Sequence, residues 1–485
     1  MRGLALKGKA LKSFQSFMTT SSSKDNKYRR KKKFYKKRSP APVQPAQRLP
    51  AEQADLFGSP GLHPRIIPRP EHCISRKDID REALKVLYCL KDNGYMAYLV
   101  GGSVRDLLLG KRPKDFDIGT NARPEELKKL FRHSRIIGRR FRLVHVYFRG
   151  GKIIEVSTFR CRSEHDDREA AGNGIGDVNI FGSPREDAFR RDLSINGLFY
   201  NIADFSIIDY VGGMADLKQG IIRVIGDDPE HRYLKDPVRM MRAVRHAART
   251  GFTIEANTWE GLLKHSDKIR LCAISRVREE WLKDLRSGYS RPWAELMIKS
   301  GLFGSVFPGY VSALESEDKG LVRKLLFGLL GHLDRMVNDG AEVSDALMLA
   351  LFAYPRLCVT PEWQALKVGR LKWPTYEVRS MLSEIFLPYD FRRSVRDVAV
   401  QILSSQWNIS ICLAKGKWFK RVWNKAAFRE SVMLYDLVQE VLGQPVIGPD
   451  LHLRPGPKPL KKSGKRKRRS QRVRRLISES EEVRV

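Results

Sequence analysis

Two aspartates separated by one residue, Asp115 and Asp117 in the segment KDFDIG, have the types and spacing that phosphate chemistry uses. Side chains alternate along a strand, so residues i and i+2 face the same way with Cα atoms roughly 6.5 to 7 Å apart. Two such carboxylates can share a pair of Mg²⁺ ions about 3.5 to 4 Å from each other, as in-line phosphoryl transfer requires. An isolated Asp-x-Asp pair is nevertheless more typical of a solvated strand face.

The residues before this pair favour the phosphate interpretation. Gly101 and Gly102 would let the backbone turn and approach a phosphate closely, Ser103 adds a hydroxyl, and the following helix would offer its first N–H groups to an anion. Arg105 stands one turn into that helix, where we expect it to reach the same phosphates. A Gly-Gly-Ser turn alone is a weak signal, but an Asp-x-Asp pair on the next strand strengthens it.

Alternating helix and strand patterns surround these residues from about residue 76 to residue 225, and they predict an α/β head. From about 236 to 445 the pattern changes to repeated helix signals such as SRVREEWLKDLRS and LVRKLLFGLLGHL. The expected fold class is therefore α+β, with a nucleotide-handling head followed by an all-helical body and disordered basic termini. The head strands are predicted over MAYLV, DFDIG, SRIIG, LVHVYF and KIIEVSTF.

Composition shifts divide the chain into five segments. The first combines YRRKKKFYKKR with a Pro-rich run, and the last contains KKSGKRKRRSQRVRR, so both are expected to be disordered. The predicted segments are a basic and Pro-rich arm over 1–72, a catalytic head over 73–225, a helical neck over 226–300, a helical body over 301–445 and a basic tail over 446–485.

The charge balance predicts a polyanionic partner. Among 485 residues, 90 Lys and Arg stand against 55 Asp and Glu, a formal charge of +35 that exceeds what solubility needs. Nucleic acid is the first expectation and an anionic membrane surface the second. The apolar run ALMLALFAYP is interrupted by Pro355 and is too short for a transmembrane helix, so no membrane span is expected.

Cysteine usage and the first residues bear on the compartment. The six cysteines are scattered without a C-x-x-C pair, so neither a zinc site nor a disulfide framework is predicted, and a reducing compartment fits. MRGLALKGKALKSFQSFMTTSSSKD is basic and Ser-rich, and it reads either as a disordered arm or as an organellar transit peptide.

Four ordered motifs resemble a known family. They are GGSVRDLLLGKRPKDFDIGT at 101–120, RRDLSING at 190–197, DYVGGMADL at 209–217 and DPVRMMRAVRHAARTGF at 236–252. Together they resemble the class II nucleotidyltransferases of the polymerase beta superfamily, the group that contains tRNA CCA-adding enzymes and bacterial poly(A) polymerases. The order of the motifs makes the signal more specific than one pattern match.

The resemblance implies separate roles for the acidic and basic residues. Asp115 and Asp117 would hold Mg²⁺, with Mn²⁺ as an alternative, and Asp192 is a third catalytic candidate for which Glu155 competes. Gly101, Gly102, Ser103, Arg105 and Arg191 would bind the triphosphate.

The last motif is expected to read the base. Asp236 would accept from an exocyclic amine and Arg239 would donate to a ring nitrogen, with Arg242 on the same helix face. From the residues alone, Asp236 is also expected to cap that helix, with Pro237 at its first position. The family usually has Glu before this Asp, whereas this chain has Lys235. The change replaces a negative charge by a positive one beside the expected base-reading residues.

Smaller features favour poly(A) addition within this family. IIGRRFRLVHV at 136–146 is similar to a sequence that marks bacterial poly(A) polymerases, and DYVGG stands where CCA-adding enzymes generally have Asp-Pro. Without the resemblance, the residues of the first stretch predict two strands joined by a basic turn, with His145 as a packed strand residue. The expected function is AMP addition from ATP to RNA 3′ ends in a bacterial cytoplasm, with RNA-decay machinery as a partner. The alternatives are a CCA-adding enzyme and a non-catalytic RNA-binding scaffold.

Overall fold

The computed structural model describes residues 64–138, 142–161, 181–226, 228–361, 363, 375–416 and 418–447. Most of the predicted arm and all of the predicted tail beyond residue 447 lie outside these ranges. Within them, every helix is too short or too polar to cross a lipid bilayer.

The head is built on a mixed sheet whose described strands follow the order β1-β8-β7-β2-β3-β6-β5-β4. Neighbouring strands are antiparallel except β3 and β6, which run parallel. The predicted strands over MAYLV, SRIIG, LVHVYF and KIIEVSTF are confirmed. The strands are Arg65–Ile67 (β1), Tyr98–Val100 (β2), Asp117–Thr120 (β3), Ser134–Ile137 (β4), Leu143–Tyr147 (β5), Ile153–Thr158 (β6), Leu198–Asn201 (β7) and Ile207–Asp209 (β8).

The edge strand β1 corrects one predicted boundary. Residues 65–67 were expected to belong to the disordered arm over 1–72, but they pair antiparallel with β8 in the register Arg65↔Asp209. Ile67 is 3% exposed whereas Ile66 is 60% exposed, so one side chain anchors the strand. A three-residue strand with one buried side chain gives no periodicity, which is why the sequence did not reveal it.

Helices flank the head sheet and make up nearly all of the region after it. The head helices are Arg81–Asp92 (α1), Gly102–Leu108 (α2), Pro124–Leu130 (α3), Pro184–Arg190 (α4) and Gly213–Gln219 (α5). A short parallel pair, Ile221–Ile222 (β9) and Thr253–Ile254 (β10), lies at the junction. The later helices are Pro229–Lys235 (α6), Val238–Thr250 (α7), Ala256–His265 (α8), Ile274–Leu285 (α9), Ser290–Lys299 (α10), Leu302–Val306 (α11), Pro308–Glu315 (α12), Lys319–Asn338 (α13), Asp345–Leu357 (α14), Thr375–Ile385 (α15), Arg393–Ala414 (α16), Lys420–Trp423 (α17) and Phe428–Leu442 (α18).

Two large hydrophobic cores organise these layers. One lies under the head sheet and includes Leu99, Ile118 and Val156. The other runs continuously from Leu193 to Val438, so the predicted neck and body share a core across residue 300. Burying aromatic rings supplies much of the stability of such a helical assembly. Trp281 is fully buried at its centre, stacked on Phe386 with ring centroids 5.8 Å apart.

A buried ion pair fixes α7 against α9. Arg245 on α7 binds the carboxylates of Glu280 and Asp284 on α9, and its Nη2 donates to the Glu280 carbonyl at 2.9 Å. Asp284 is 0% exposed, and burial raises the pKa of its carboxyl to about 6 even though Arg245 opposes the change. Because α7 also carries the predicted base-reading residues, this contact sets where those residues stand.

Replacing Arg245 by Ala is expected to lower the free energy of unfolding by about 3–5 kcal/mol at pH 8, because it leaves a buried carboxylate unpaired. The loss should be smaller at pH 5, where Asp284, whose pKa is already raised in the folded state, takes up a proton. Urea unfolding at both pH values measures this. Arg286→Ala, which removes an exposed pair with Asp345, is the control and should change stability by only about 0–1 kcal/mol.

Candidate active site

The glycine turn between β2 and α2 is shaped by close contacts with two arginines. Gly101 has φ +71°, and a Cβ there would lie 3.1 Å from Nη1 of Arg191. A Cβ at Gly102 would lie 3.3 Å from Nη2 of Arg105. Glycine therefore provides both the positive φ and the room for the guanidinium groups. Ser103 is buried and its hydroxyl donates to the Val100 carbonyl at 2.9 Å, so it secures the turn.

The acidic pair lies beside this turn. Strand β3 begins at Asp117, which is opposite Val100 on β2, the residue before Gly101. The sequence had predicted a strand that includes Asp115, but in the structure Asp115 precedes the strand. Its side chain is exposed, whereas that of Phe116 is buried. Asp115 and Asp117 are thus separated by an inward-facing aromatic side chain.

Strand register identifies Glu155 as the nearest partner of the pair. Glu155 on β6 is the register partner of Asp117 on the parallel strand β3. Burial, then Glu155 and also Asp115, raise the pKa of the Asp117 carboxyl to about 6, while Arg191 acts in the opposite direction. Crowded carboxylates that resist ionisation fit a bound cation, which would relieve their repulsion.

These carboxylates do not form a closed metal cage within the described ranges. In the part of the chain that the structure describes, no three histidine, cysteine or acidic side chains converge as metal ligands. Mg²⁺ is usually held by one or two carboxylates together with substrate phosphates, so a pair of acids beside a phosphate-binding turn suits it.

Arg191 lies next to the glycine turn and is fixed there by an ion pair. Its Nε and Nη2 donate to the Asp187 carboxylate at 3.1 and 2.8 Å, and its guanidinium lies 5.3 Å from the Phe199 ring centroid. Burial would raise the pKa of Asp187, but Arg191 and Arg190 outweigh it and hold that pKa below its usual value. A carboxylate that stays ionised keeps Arg191 fixed close to Asp117.

Arg105 lies deeper than the sequence suggested. It is 2% exposed, and its Nε and Nη2 donate to Asp106 at 2.9 and 2.8 Å. Its Nη1 donates to Asn196 at 2.6 Å and contacts Nδ1 of His246 at 3.0 Å. Burial, then Arg105 and neighbouring arginines, hold the pKa of His246 well below its usual value, so the ring is neutral. Because most N–H groups of the Arg105 guanidinium already donate to protein acceptors, Arg105 stabilises the glycine turn from below. Direct binding of phosphate by Arg105 stays a prediction.

The start of α7 brings the predicted base readers together. Pro237, and not Asp236, immediately precedes the helix, and the predicted cap by the Asp236 side chain is wrong. Both oxygens of that carboxylate instead accept from Arg276 of α9, at 2.7 and 2.8 Å. A charge-assisted bidentate pair outcompetes a helix cap for the same oxygens. Arg239 Nε lies 3.8 Å from Asp236, so the two side chains are neighbours.

Asp192 lies among arginines and not beside the acidic pair. Its carboxylate is 3.0 Å from Arg239 Nη1 and 2.7 Å from Arg242 Nε. Burial alone would raise the pKa of Asp192, but Arg242 and Arg239 hold it below its usual value. Asp192 is thus paired with two arginines of α7, whereas Glu155 is the acidic residue in register with Asp117.

One cleft of about 350 Å³ contains most of these groups. Asp115, Ser103 and Glu155 do not line it. Seven arginines and three aspartates line it, a balance that suits a triphosphate. The predicted members are Gly101, Gly102, Arg105, Asp117, Arg191, Asp192, Asp236, Arg239 and Arg242, and the members not predicted are Arg190, Asn196, His246, Arg249 and Arg276.

Some of the missed residues had a sequence signal. His246 and Arg249 follow Arg242 at helical spacing on α7, and Arg190 stands directly before Arg191. Arg276 had none, because it comes from a helix 40 residues after Asp236 and only packing brings them together.

Comparison with known proteins matches two parts of the chain to family descriptions. Residues 97–223 match the Poly A polymerase head domain. Residues 251–314 match a segment described as "Probable RNA and SrmB- binding site of polymerase A".

Individual relatives come from both branches named by the sequence motifs. Poly(A) polymerase I of Escherichia coli O6:H1 is 47% identical over 299 residues, which are 60% of this chain and 64% of that protein. The CCA-adding enzyme of Lactobacillus helveticus is 38% identical over 225 residues, covering 46% of this chain and 55% of that enzyme. The crystal structure of the Bacillus stearothermophilus CCA-adding enzyme in complex with CTP aligns at 27% identity and TM-score 0.55, covering 75% of this chain and 78% of that one.

The matched region spans 64% of the length of the poly(A) polymerase I relative. The four ordered motifs, the mixed head sheet and these matches agree with one another. Over residues 97–314, the chain is therefore similar to the nucleotidyltransferases that carry the poly(A) polymerase head domain.

Proposed function

We propose that this chain is a template-independent poly(A) polymerase that adds AMP from ATP to RNA 3′ ends. The observation that carries the proposal is the single cleft in which Asp117, the glycine turn and the arginines of α7 face one another. In the reaction, the RNA 3′ oxygen bonds to the α-phosphorus of ATP. The bond from that phosphorus to the bridging oxygen of the β-phosphate breaks, and pyrophosphate leaves.

Asp115, Asp117 and Glu155 are the residues that would hold divalent cations. Nucleotidyltransferases of this family generally depend on a divalent metal, and we propose Mg²⁺ here because the donors are carboxylate oxygens. When bound, Mg²⁺ lowers the pKa of a coordinated hydroxyl and neutralises developing phosphate charge. Glu155 is favoured over Asp192 as the third acid because it neighbours Asp117 in the sheet.

Arg191 and the glycine turn would bind the triphosphate. Arg191 is oriented by Asp187 and stands 3.1 Å from the Cβ position of Gly101, so a phosphate at the turn would meet a fixed guanidinium. Preorganised donors of this kind stabilise charge without having to reorient during the reaction.

Asp236 and Arg239 would read adenine. Arg239 is 7% exposed, and its Nε has no hydrogen-bond partner among the described residues. A buried donor without an acceptor costs free energy, which a ring nitrogen of the base would recover. Asp236, fixed by Arg276, would accept from the exocyclic amine.

A CCA-adding activity is the second candidate, favoured by the fold similarity to the enzyme solved with CTP. The two functions are separated by supplying ATP or CTP alone to an unstructured RNA and to a tRNA lacking its 3′ end. We expect long tails on both RNAs with ATP and little incorporation with CTP. Addition of two C residues and then one A, on the tRNA only, would reject poly(A) addition. If neither nucleotide is incorporated, the remaining interpretation is a non-catalytic RNA-binding scaffold.

We further propose a bacterial cytoplasmic setting with RNA-decay proteins as partners. The relatives are bacterial, and the six cysteines are scattered along the sequence without a C-x-x-C pair. The segment 251–314 matches a description that names binding of RNA and SrmB, which supports a protein partner at the neck.

A further inference from the structure

His145 lies in a row of polar side chains that crosses the head sheet. On β5 it is the register partner of Glu155 on β6, and Glu155 is the register partner of Asp117 on β3. Residues in register on neighbouring strands share one face of a sheet. His145, Glu155 and Asp117 therefore stand side by side on the face that carries the cleft.

The sequence had suggested that His145 is a packed strand residue, but its side chain lies on the sheet face opposite the hydrophobic core. Its neighbours along β5, Val144 and Val146, are buried at 0% and 4% exposure and point to the opposite face. The His145 side chain is 21% exposed and contacts the Tyr147 ring edge-on at 6.2 Å. A histidine on the solvated face needs a reason other than core packing.

The hydrogen bond from His145 to Glu155 supplies that reason. Nε2 of His145 is 3.1 Å from Oε1 of Glu155, whose side chain is 52% exposed. A half-exposed glutamate otherwise loses rotamer entropy whenever it binds a ligand in one orientation. In the tautomer that carries the proton on Nε2, this N–H donates to the Glu155 carboxylate. Arg135 on β4 faces His145 from the other side.

We propose that His145 is a positioning residue that holds Glu155 in the orientation needed to share a divalent cation with Asp117. This inference rests on the proposed function only for its kinetic readout. Carboxylate ligands are commonly oriented by a hydrogen bond from a second residue, and removing that partner typically costs about 10–100-fold in metal affinity or activity. His145 is thus assigned the supporting place behind Glu155, without contact to substrate.

The test compares His145→Ala, His145→Gln and Tyr147→Ala in the full-length chain. Gln retains an N–H donor at a similar reach, and Tyr147 lies on the same strand and face without a hydrogen bond to Glu155. Mn²⁺ affinity is measured by electron paramagnetic resonance with a non-hydrolysable ATP analogue, kcat and KM for ATP by AMP incorporation, and folding by thermal melting.

For His145→Ala we expect Mn²⁺ affinity and kcat to fall about 10–100-fold, with KM for ATP and the melting temperature close to wild type. His145→Gln should recover most of both losses, and Tyr147→Ala should behave as wild type. Wild-type Mn²⁺ affinity and kcat in His145→Ala would overturn the proposal, as would equal losses in His145→Gln and His145→Ala. If the wild-type chain adds no AMP but its Mn²⁺ affinity still falls in His145→Ala, only the polymerase function is rejected.

Discussion

Replacing Asp115 and Asp117 together by Asn is expected to abolish AMP incorporation while leaving the fold intact. Metal-stabilised charge in phosphoryl transfer accounts for several kcal/mol of the barrier, so a loss of about 10³–10⁴-fold in kcat is expected. Asn keeps the size of each side chain, so the cleft retains its shape. Single-turnover incorporation of labelled AMP into an RNA 3′ end measures the change.

The loss of activity should not arise from unfolding, because the environment of Asp117 disfavours a charged side chain. Burial and Glu155 raise the pKa of its carboxyl to about 6, so the charged carboxylate is less favourable in the folded chain than in the unfolded chain. A neutral amide is expected to match or slightly improve stability near pH 7, and thermal melting checks this. The control is Asp78→Asn with Asp92→Asn, an equal charge change at exposed positions on the head. Normal tailing by the Asp115 and Asp117 variant would reject the mechanism.

Local sequence predicted which residues lie close together around the glycine turn. Gly101, Gly102 and Asp117 lie within one turn-helix-turn-strand unit, so their spacing along the chain constrains their spacing in space. Arg191 was identified through its motif, and the cleft confirms its proximity to Gly101. The sequence could not choose between Glu155 and Asp192, because the neighbours of each carboxylate depend on long-range packing. Pairing of β6 with β3 brings Glu155 into register with Asp117, whereas Asp192 lies among the arginines of α7.

The base-reading half depended on packing that the sequence does not encode locally. DPVRMM at the start of α7 suggested a helix capped by Asp236, which is the ordinary role of Asp before Pro. Arg276 overrides that preference from a separate helix, so the carboxylate faces the cleft instead of the helix end. The shared core of neck and body is what brings α9 to α7, and no local pattern predicts such a contact.

Replacing Arg239 by Gln is expected to reduce kcat/KM for ATP by about 10–10²-fold and to lower the preference for ATP over CTP. Hydrogen bonds from charged groups contribute about 1.5–3 kcal/mol each, and Gln loses the charge and shortens the reach to the base. Arg242 still neutralises Asp192, so the cleft should stay folded. Rates with ATP and with CTP as single nucleotides give both quantities, and an unchanged ATP to CTP ratio would show that Arg239 does not read the base.

Arg276→Gln should give a smaller loss, about tenfold in the ATP to CTP ratio, because it frees the Asp236 carboxylate without removing it. Lys235, which precedes Asp236 where the family usually has an acid, makes this variant informative: a mobile Asp236 next to a cation can turn away from the base. Arg270→Gln, an exposed change in the same neck, is the control and should leave the ratio as in wild type. If Arg276→Gln keeps full selectivity while Arg239→Gln loses it, adenine is read by Arg239 alone and Asp236 serves only to hold α9.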